Sequence, residues 1–544
     1  MYRKKNQITD QMKKTIFSTI ILSVITISLN WGQVAPVEKG LQAISTDVLK
    51  AQLGFLSSDW TEGRMAGEKG EILSSDYIAS MLQLYGVRPN GDFLHAGNQS
   101  INTMSNERSY FQNFVLLKTV PGNEQVLNVK SAEGKMTKTT DFTYNVDFII
   151  RPSDPGFEIE APVVFAGYGY KNDKLKYNDL NKIDVKGKLV LKISRIPKFI
   201  RESLDPLEIE SSAREIETTL KSMGAIGIIE FNPQSMVVGY PDAKEFLNMS
   251  PSEGNPRLGR PYASYSIPGK STSDNFVRMI VSVKTANEIL KGSGINPDEY
   301  IKKADVNESF TIPPLTDKSV YLKTTIKTTQ VAVRNVIGVI EGNKADQIIV
   351  LGAHYDHLGM GNGYIWNGAD DNGSGTVGVM TMAKAIMETG IKPEKTIIIA
   401  LWTAEEEGLL GSRYYVQNLP YPLKDLRLNV NFDMISRYIS DDEPKKVTMT
   451  YTISYPLFKD ITLSNLKKFG IDLNVDYQPS ADPPGGTDHR SFVAVDIPIM
   501  RFKPGHRAEY HTPSDEFRTV NWDIMEKIIR ICFADVWELA NSDW

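Results

Sequence analysis

Five short groups of histidines and acids recur toward the C-terminus: His354-Tyr-Asp356, Asp370-Asp371-Asn372, Glu405-Glu406-Glu407, Asn431-Phe-Asp433 and Tyr510-His511-Thr-Pro. Imidazole nitrogens mixed with carboxylate oxygens are the donor set of a first-row metal site, zinc above all. The count suits a pair of ions better than one. A single zinc takes four ligands, whereas five protein donors, one of them bridging, complete two sites with room for a shared water. Two dications against three carboxylates leave one positive charge, which a bound hydroxide neutralises. Paired sites of this kind serve phosphatases, nucleases and aminopeptidases.

The spacing inside the groups carries further chemistry. An acid two residues after His354 can accept the ring N–H and orient the imidazole, which is the reading of Asp356. Three adjacent acids, Glu405 to Glu407, follow a wholly apolar run and would repel one another unless a cation lies near. Adjacent residues point differently, so one can ligate while its neighbour faces the metal-bound water. The chain has six histidines, His95, His354, His357, His489, His506 and His511; His354 directly follows an apolar strand, and His511 sits in a loop beyond one. Gly373-Ser-Gly375-Thr-Val-Gly378 matches G-x-G-x-x-G in form. No strand directly precedes it, and Asp370 and Asp371 would repel a pyrophosphate, so these glycines are read as close packing of a helix under an acidic loop.

Elements must bring these groups together. Ile348 to Leu351, Ile397 to Trp402 and Leu428 to Val430 read as buried strands, each followed by one of the groups. Side chains leaving the carboxyl ends of parallel strands converge on one crevice. From about residue 325, strands at 331–340, 348–353, 396–402, 428–432 and 497–502 alternate with helices at 374–389, 411–418, 455–469 and 521–540. The expected fold class is α/β, a mixed, mainly parallel sheet flanked by helices. Residues 45–90 read as two helices around the loop Gly63-Arg-Met-Ala-Gly67. Residues 121–320 have a different texture, with short β-rich runs such as Ala161 to Tyr168, Val185 to Ile193 and Met223 to Ile229, and are read as a small β-rich inserted domain. The expected organisation is therefore a discontinuous domain over 45–120 and 325–544 around the insertion.

Composition bounds the setting. Hydrophobic content of 41%, charged content of 23% and net charge −5 are those of an ordinary globular protein and give no reason to expect nucleic acid. Residues 1–33 read as a secretory signal: Lys13-Lys14, an apolar run from Ile16 to Leu29, and a small-residue exit at Asn30-Trp-Gly-Gln33. The run is short for a spanning helix, so export without stable membrane insertion, to the periplasm or the exterior, is expected. Cys532 is the one cysteine, which excludes an internal disulfide framework. Its helical apolar surroundings mark a buried structural thiol.

Together the motifs resemble peptidase family M28, a family of zinc peptidases. His354-Tyr-Asp356, Ala369-Asp-Asp371-Asn, Ala404-Glu-Glu-Glu-Gly408-Leu-Leu-Gly-Ser412, Asn431-Phe-Asp433-Met and Tyr510-His511-Thr-Pro-Ser-Asp515 occur in the family's order. The insertion looks like a protease-associated domain. The resemblance implies two Zn2+, with His354 and Asp433 on one, Glu406 and His511 on the other, and Asp371 bridging. It makes Glu405 the general base, Asp356 the acid behind His354 and Tyr510 the residue that supports the oxyanion. The family often has a cis peptide after the bridging acid, here Asp371-Asn372, and Thr487-Asp488-His489 matches a segment that shapes its pocket.

The resemblance implies hydrolysis of the N-terminal residue of peptides, with Glu405 taking a proton from the water and returning it to the leaving amine. Alternatives on the same scaffold are a metallo-carboxypeptidase, for which Arg437, Arg490, Arg501 and Arg507 offer basic groups, a glutaminyl cyclase, and a catalytically inactive binding protein. The amine-binding acid is open among Glu405, Glu407 and Asp433.

Overall fold

The computed structural model describes residues 35–95, 104–152, 156–204, 206–233, 263–269, 275–308, 310–361 and 363–544. The expected signal segment, 1–33, lies outside them. Among the described residues no helix is long and apolar enough to cross a membrane.

The sheet that carries the site runs, edge to centre, through the strands Asn474–Ser480, Lys446–Thr452, Ile499–Lys503, Leu426–Phe432, Lys344–His354, Lys395–Trp402 and Lys318–Ile340. Lys344–His354 pairs in parallel with both Lys395–Trp402 and Leu426–Phe432, and the last of these pairs in parallel with Ile499–Lys503. Lys318–Ile340 and Lys446–Thr452 join antiparallel, so the sheet is mixed and mainly parallel, flanked by helices. The strands Lys446–Thr452 and Asn474–Ser480 escaped the sequence reading. They lie at the sheet edge, and the outermost alternates exposed and half-buried positions rather than forming an apolar run.

Burial on both faces explains the apolar central strands. In Lys395–Trp402, Ile397, Ile399 and Leu401 face a core that contains the helices Gly375–Glu388 and Trp522–Asn541. Ile398, Ala400 and Trp402 face a second core with Tyr415 and Phe492. The helix Gly375–Glu388 buries Val377, Val379, Met380, Met382 and Ile386 to 1% exposure or less. Each such side chain contributes roughly 1.5–3 kcal/mol, before cavity effects, over an exposed position. Its glycines are there for packing: a Cβ at Gly375 would come within 2.3 Å of Asn372 Oδ1, and one at Gly378 within 2.9 Å of the Phe432 ring. Cys532 is buried in the helix Trp522–Asn541.

Residues between these halves build a separate hydrophobic core. Its strands Glu158–Phe165, Leu189–Ile193, Gly227–Phe231 and Val277–Val281 run parallel, with Phe148–Ile150 antiparallel at the edge. It holds helices as well, including Pro206–Ser222 ahead of Gly227–Phe231. Two long strands, Phe111–Glu133 and Lys318–Ile340, pair antiparallel along most of their length and belong to both cores. The texture change near 120 and 320 therefore falls inside continuous strands.

Candidate metal centre

Register fixes the edge at which the groups meet. His354 lies opposite Trp402, Gly352 opposite Asn431, and Phe432 opposite Phe502, so four strand ends share one rim. His354 ends its strand, Asp433 follows Phe432, Glu405 and Glu406 follow Trp402 through a tight turn, and His511 follows the loop beyond Lys503. Ala404, Met434 and His511 all adopt left-handed φ, at 53°, 60° and 57°. That backbone region is costly for side chains other than glycine and persists where surrounding structure holds it.

The rim brings together every residue expected to bind metal. The two carboxylate oxygens of Asp371 face different histidines: Oδ1 lies 3.5 Å from His354 Nε2 and Oδ2 lies 3.0 Å from His511 Nε2. His354 Nε2 also faces Glu405 Oε2 at 3.8 Å and Asp433 Oδ1 at 4.0 Å, while His511 Nε2 faces Glu406 Oε2 at 3.3 Å. Despite these approaches, His511 Nε2 has no hydrogen bond of acceptable angle. Donor atoms of His354, Glu405 and Asp433 lie within 4.8 Å of one another, as do those of His357, Asp371 and Glu406. Glu407 joins neither group.

Burial and mutual charge set the electrostatics. Burial lifts the Glu405 carboxyl well above the carboxylate range, with the acids Asp488, Glu406 and Asp433 adding to it against His354. Glu406 goes the other way: burial opposes its charge, but His511 and His357 hold it well below the usual range. Burial disfavours the charged His511 ring, yet Glu406 and Asp371 raise it to about 10. Burial and the same two acids raise the Tyr510 phenol, which keeps its proton; its ring stacks on His511 at 3.9 Å between centroids.

The supporting layer differs in part from the expected one. His354 Nδ1 lies 3.2 Å from the Asp356 carbonyl oxygen and 3.6 Å from its carboxylate. The carboxylate instead accepts the backbone N–H of Glu405 at 3.1 Å and of Glu406 at 3.3 Å. Asp356 thus shapes the turn that presents both glutamates. The loop Ala369–Ser374 contains the cis peptide Asp371-Asn372. Asp515 accepts the N–H groups of Asp370 and Asp371, each at 2.9 Å, and Asn372 donates to Phe432 O at 2.9 Å beside Asp433. Asp370 accepts Ser436 N–H at 2.9 Å.

Sequence reasoning gave no role to Asp370, Asn372, Asp515 or His357. The first three lie inside motifs it quoted, and only the folded backbone shows which N–H groups they meet. His357 is fully buried with Nδ1 at 2.8 Å from Glu406 Oε1. Its signal was its place one residue after the H-x-D motif. In the Thr487-Asp488-His489 segment, Thr487 Oγ1 accepts from Asn431, two residues before Asp433, at 3.2 Å. Burial pushes Asp488 up to about 7, against the nearby His354 and Ser412.

Residues 335–536 match the model of Peptidase family M28. The chain is 35% identical over 170 residues to leucine aminopeptidase 2 of Trichophyton rubrum, covering 30% of this chain and 32% of that protein. It is 31% identical over 171 residues to leupeptin-inactivating enzyme 1 of Streptomyces exfoliatus, covering 30% and 34%. The match thus spans about a third of the length of these curated relatives. The fold extends further: an aminopeptidase from Aneurinibacillus sp. strain AM-1 superposes with a TM-score of 0.55 at 17% identity, covering 93% of this chain and 97% of the other. A zinc aminopeptidase from Bacillus subtilis gives 0.54 at 19%, covering 92% and 96%. Over residues 335–536 the chain is similar to peptidase family M28.

Proposed function

We propose that the protein is an exported di-zinc aminopeptidase that removes the N-terminal residue of peptides. The observation that carries this reading is the pair of Asp371 oxygens, each turned to a different histidine, with Glu405 beside them. The donor set fits zinc: nitrogens and carboxylate oxygens only, gathered within a few ångströms, with the Nε2 atoms of His357 and His511 both buried and without a hydrogen bond. His354 and Asp433 would hold one ion, His511 and Glu406 the other, and Asp371 both. His511 is assigned as ligand rather than His357 because it faces Asp371 and Glu406 together, whereas His357 Nδ1 is engaged by the far oxygen of Glu406. Zinc bound there would supply Lewis acidity toward a peptide carbonyl and a water acidified toward neutral pH.

The remaining work belongs to the chain. Glu405, beside His354 and Asp433 at the rim, is placed to accept a proton from the attacking water and deliver it to the leaving amine. Tyr510 keeps its phenolic proton and donates toward the developing oxyanion. Asp356 holds the amides of both glutamates. The carboxypeptidase alternative needs a cation for the substrate carboxylate, and three of the candidate arginines already have acid partners: Arg437 with Glu509 at 3.1 Å, Arg507 with Asp441 at 2.6 Å, and Arg490 with Asp482. The insertion is read as a protease-associated domain.

The test is hydrolysis of leucine p-nitroanilide by chelated protein as zinc is returned, beside the N-acetylated substrate. Activity that plateaus near two equivalents of zinc and vanishes on acetylation supports the proposal. Equal cleavage of the blocked substrate, or cyclisation of N-terminal glutamine with no peptidase activity, overturns it.

A further inference from the structure

We propose that Arg64, in the loop between the first helices, is a positioning residue of the metal centre: it clamps the backbone of both loops that present His354 and Asp371. This inference rests on the di-zinc reading. Arg64 is wholly buried. Its guanidinium spends its donors on four main-chain carbonyls from three segments, two of them far away in the chain. Nε donates to Tyr355 O at 2.7 Å, Nη1 to Asn367 O at 2.6 Å and to Leu56 O, and Nη2 to Gly368 O at 2.9 Å. Its own carbonyl accepts His357 N–H at 3.2 Å. Arg64 therefore brackets Asp356 from both sides and holds the two residues that lead into the loop Ala369–Ser374. A planar fork with fixed N–H directions suits this task, and a lysine ammonium with three donors cannot serve four separated carbonyls.

The local backbone is built to deliver the side chain. Glu62, Gly63 and Arg64 are successive left-handed residues, at φ 49°, 68° and 53°. A Cβ at Gly63 would lie 2.3 Å from Gly359 O and 2.6 Å from Trp366 O, so the turn presses directly on the two short paired strands Gly359–Gly361 and Tyr364–Trp366, which lie in sequence between His357 and the loop Ala369–Ser374. The charge also has a use. Among the described residues no carboxylate forms an ion pair with Arg64, yet Asp515, Asp356, Asp371 and Glu406 all act on it through space. A buried cation without a contact partner is costly. Here it faces a cluster of acids whose repulsion it relieves, while leaving every carboxylate oxygen available.

The experiment measures zinc affinity by chelator competition for wild type, Arg64→Lys and Arg64→Met, beside the Tm of each chelated protein. Removal of an outer-shell partner weakens metal binding by roughly 10- to 100-fold, so Arg64→Lys is expected in that range and Arg64→Met at or beyond its upper end. A purely structural arginine would lower the Tm of the chelated variants and leave zinc affinity within threefold of wild type, which overturns the proposal. If neither variant folds, hydrogen exchange on the wild type decides. Zinc should then protect residues 56–68 together with 354–357 and 367–372, and no change in 56–68 overturns the clamp. A wild type that binds no zinc refutes the di-zinc reading itself, a separate outcome.

Discussion

Asp356→Asn tests how the centre is held. The wild-type carboxylate accepts two backbone N–H groups, from Glu405 at 3.1 Å and Glu406 at 3.3 Å, and is fully buried. Asparagine keeps the shape but offers one oxygen and one NH2. Whichever way the amide turns, one of the two N–H groups then meets a donor. The loss is at least one hydrogen bond to a charged acceptor, about 1.5–3 kcal/mol. Because the turn from Ala404 to Glu406 carries both the proposed base and a proposed ligand, that energy is expected to fall on zinc affinity and on kcat/KM together. At about 1.4 kcal/mol per decade it amounts to roughly 10- to 150-fold. The assay is kcat/KM for leucine p-nitroanilide at saturating zinc, with zinc affinity by chelator competition and Tm as a control for folding. A folded Asp356→Asn protein within threefold of wild type in both quantities would refute the reasoning.

Three further outcomes are expected. Glu405→Gln should keep both zinc ions but lose roughly 10²- to 10⁴-fold in kcat, and near-full activity with zinc retained would end the general-base assignment. Asp371→Asn should lose metal, since a neutral amide cannot bridge two cations; metal analysis after desalting that finds wild-type zinc content would remove the bridging role. Asp535, buried in the helix Trp522–Asn541, accepts Thr462 Oγ1 at 2.7 Å and Asn465 Nδ2 at 3.0 Å, and burial pushes its carboxyl up to about 7. A carboxyl raised on folding contributes stability that is complete below its unfolded value, about 4, and is lost as pH rises through 7. The chelated wild type should therefore lose stability, and with it Tm, relative to Asp535→Asn between about pH 4 and pH 7, by at most about 4 kcal/mol in all. Parallel Tm curves for the two proteins would refute this.

The donor types, their order and the strands that lead into them are legible in the residue pattern alone. Runs such as Ile397 to Trp402 have no polar face, so they can only be central strands covered on both sides, and the acids that follow must then sit at the sheet's rim. The pattern also determined that the glycines after Asp371 serve helix packing, because two adjacent acids forbid a phosphate. What it could not determine depends on chain segments far apart. Arg64 meets carbonyls 291 and 303 residues away, Asp515 meets amides some 145 residues back, and Asp356 turns its carboxylate to residues 49 and 50 ahead. Those partners are backbone groups, which every residue carries and no side-chain pattern marks. The edge strands Lys446–Thr452 and Asn474–Ser480 were hidden for a related reason: partial exposure removes the apolar run that announces a central strand. The ligands are thus written in residue types, whereas the scaffold that holds them is written in main-chain hydrogen bonds that exist only once the chain has closed on itself.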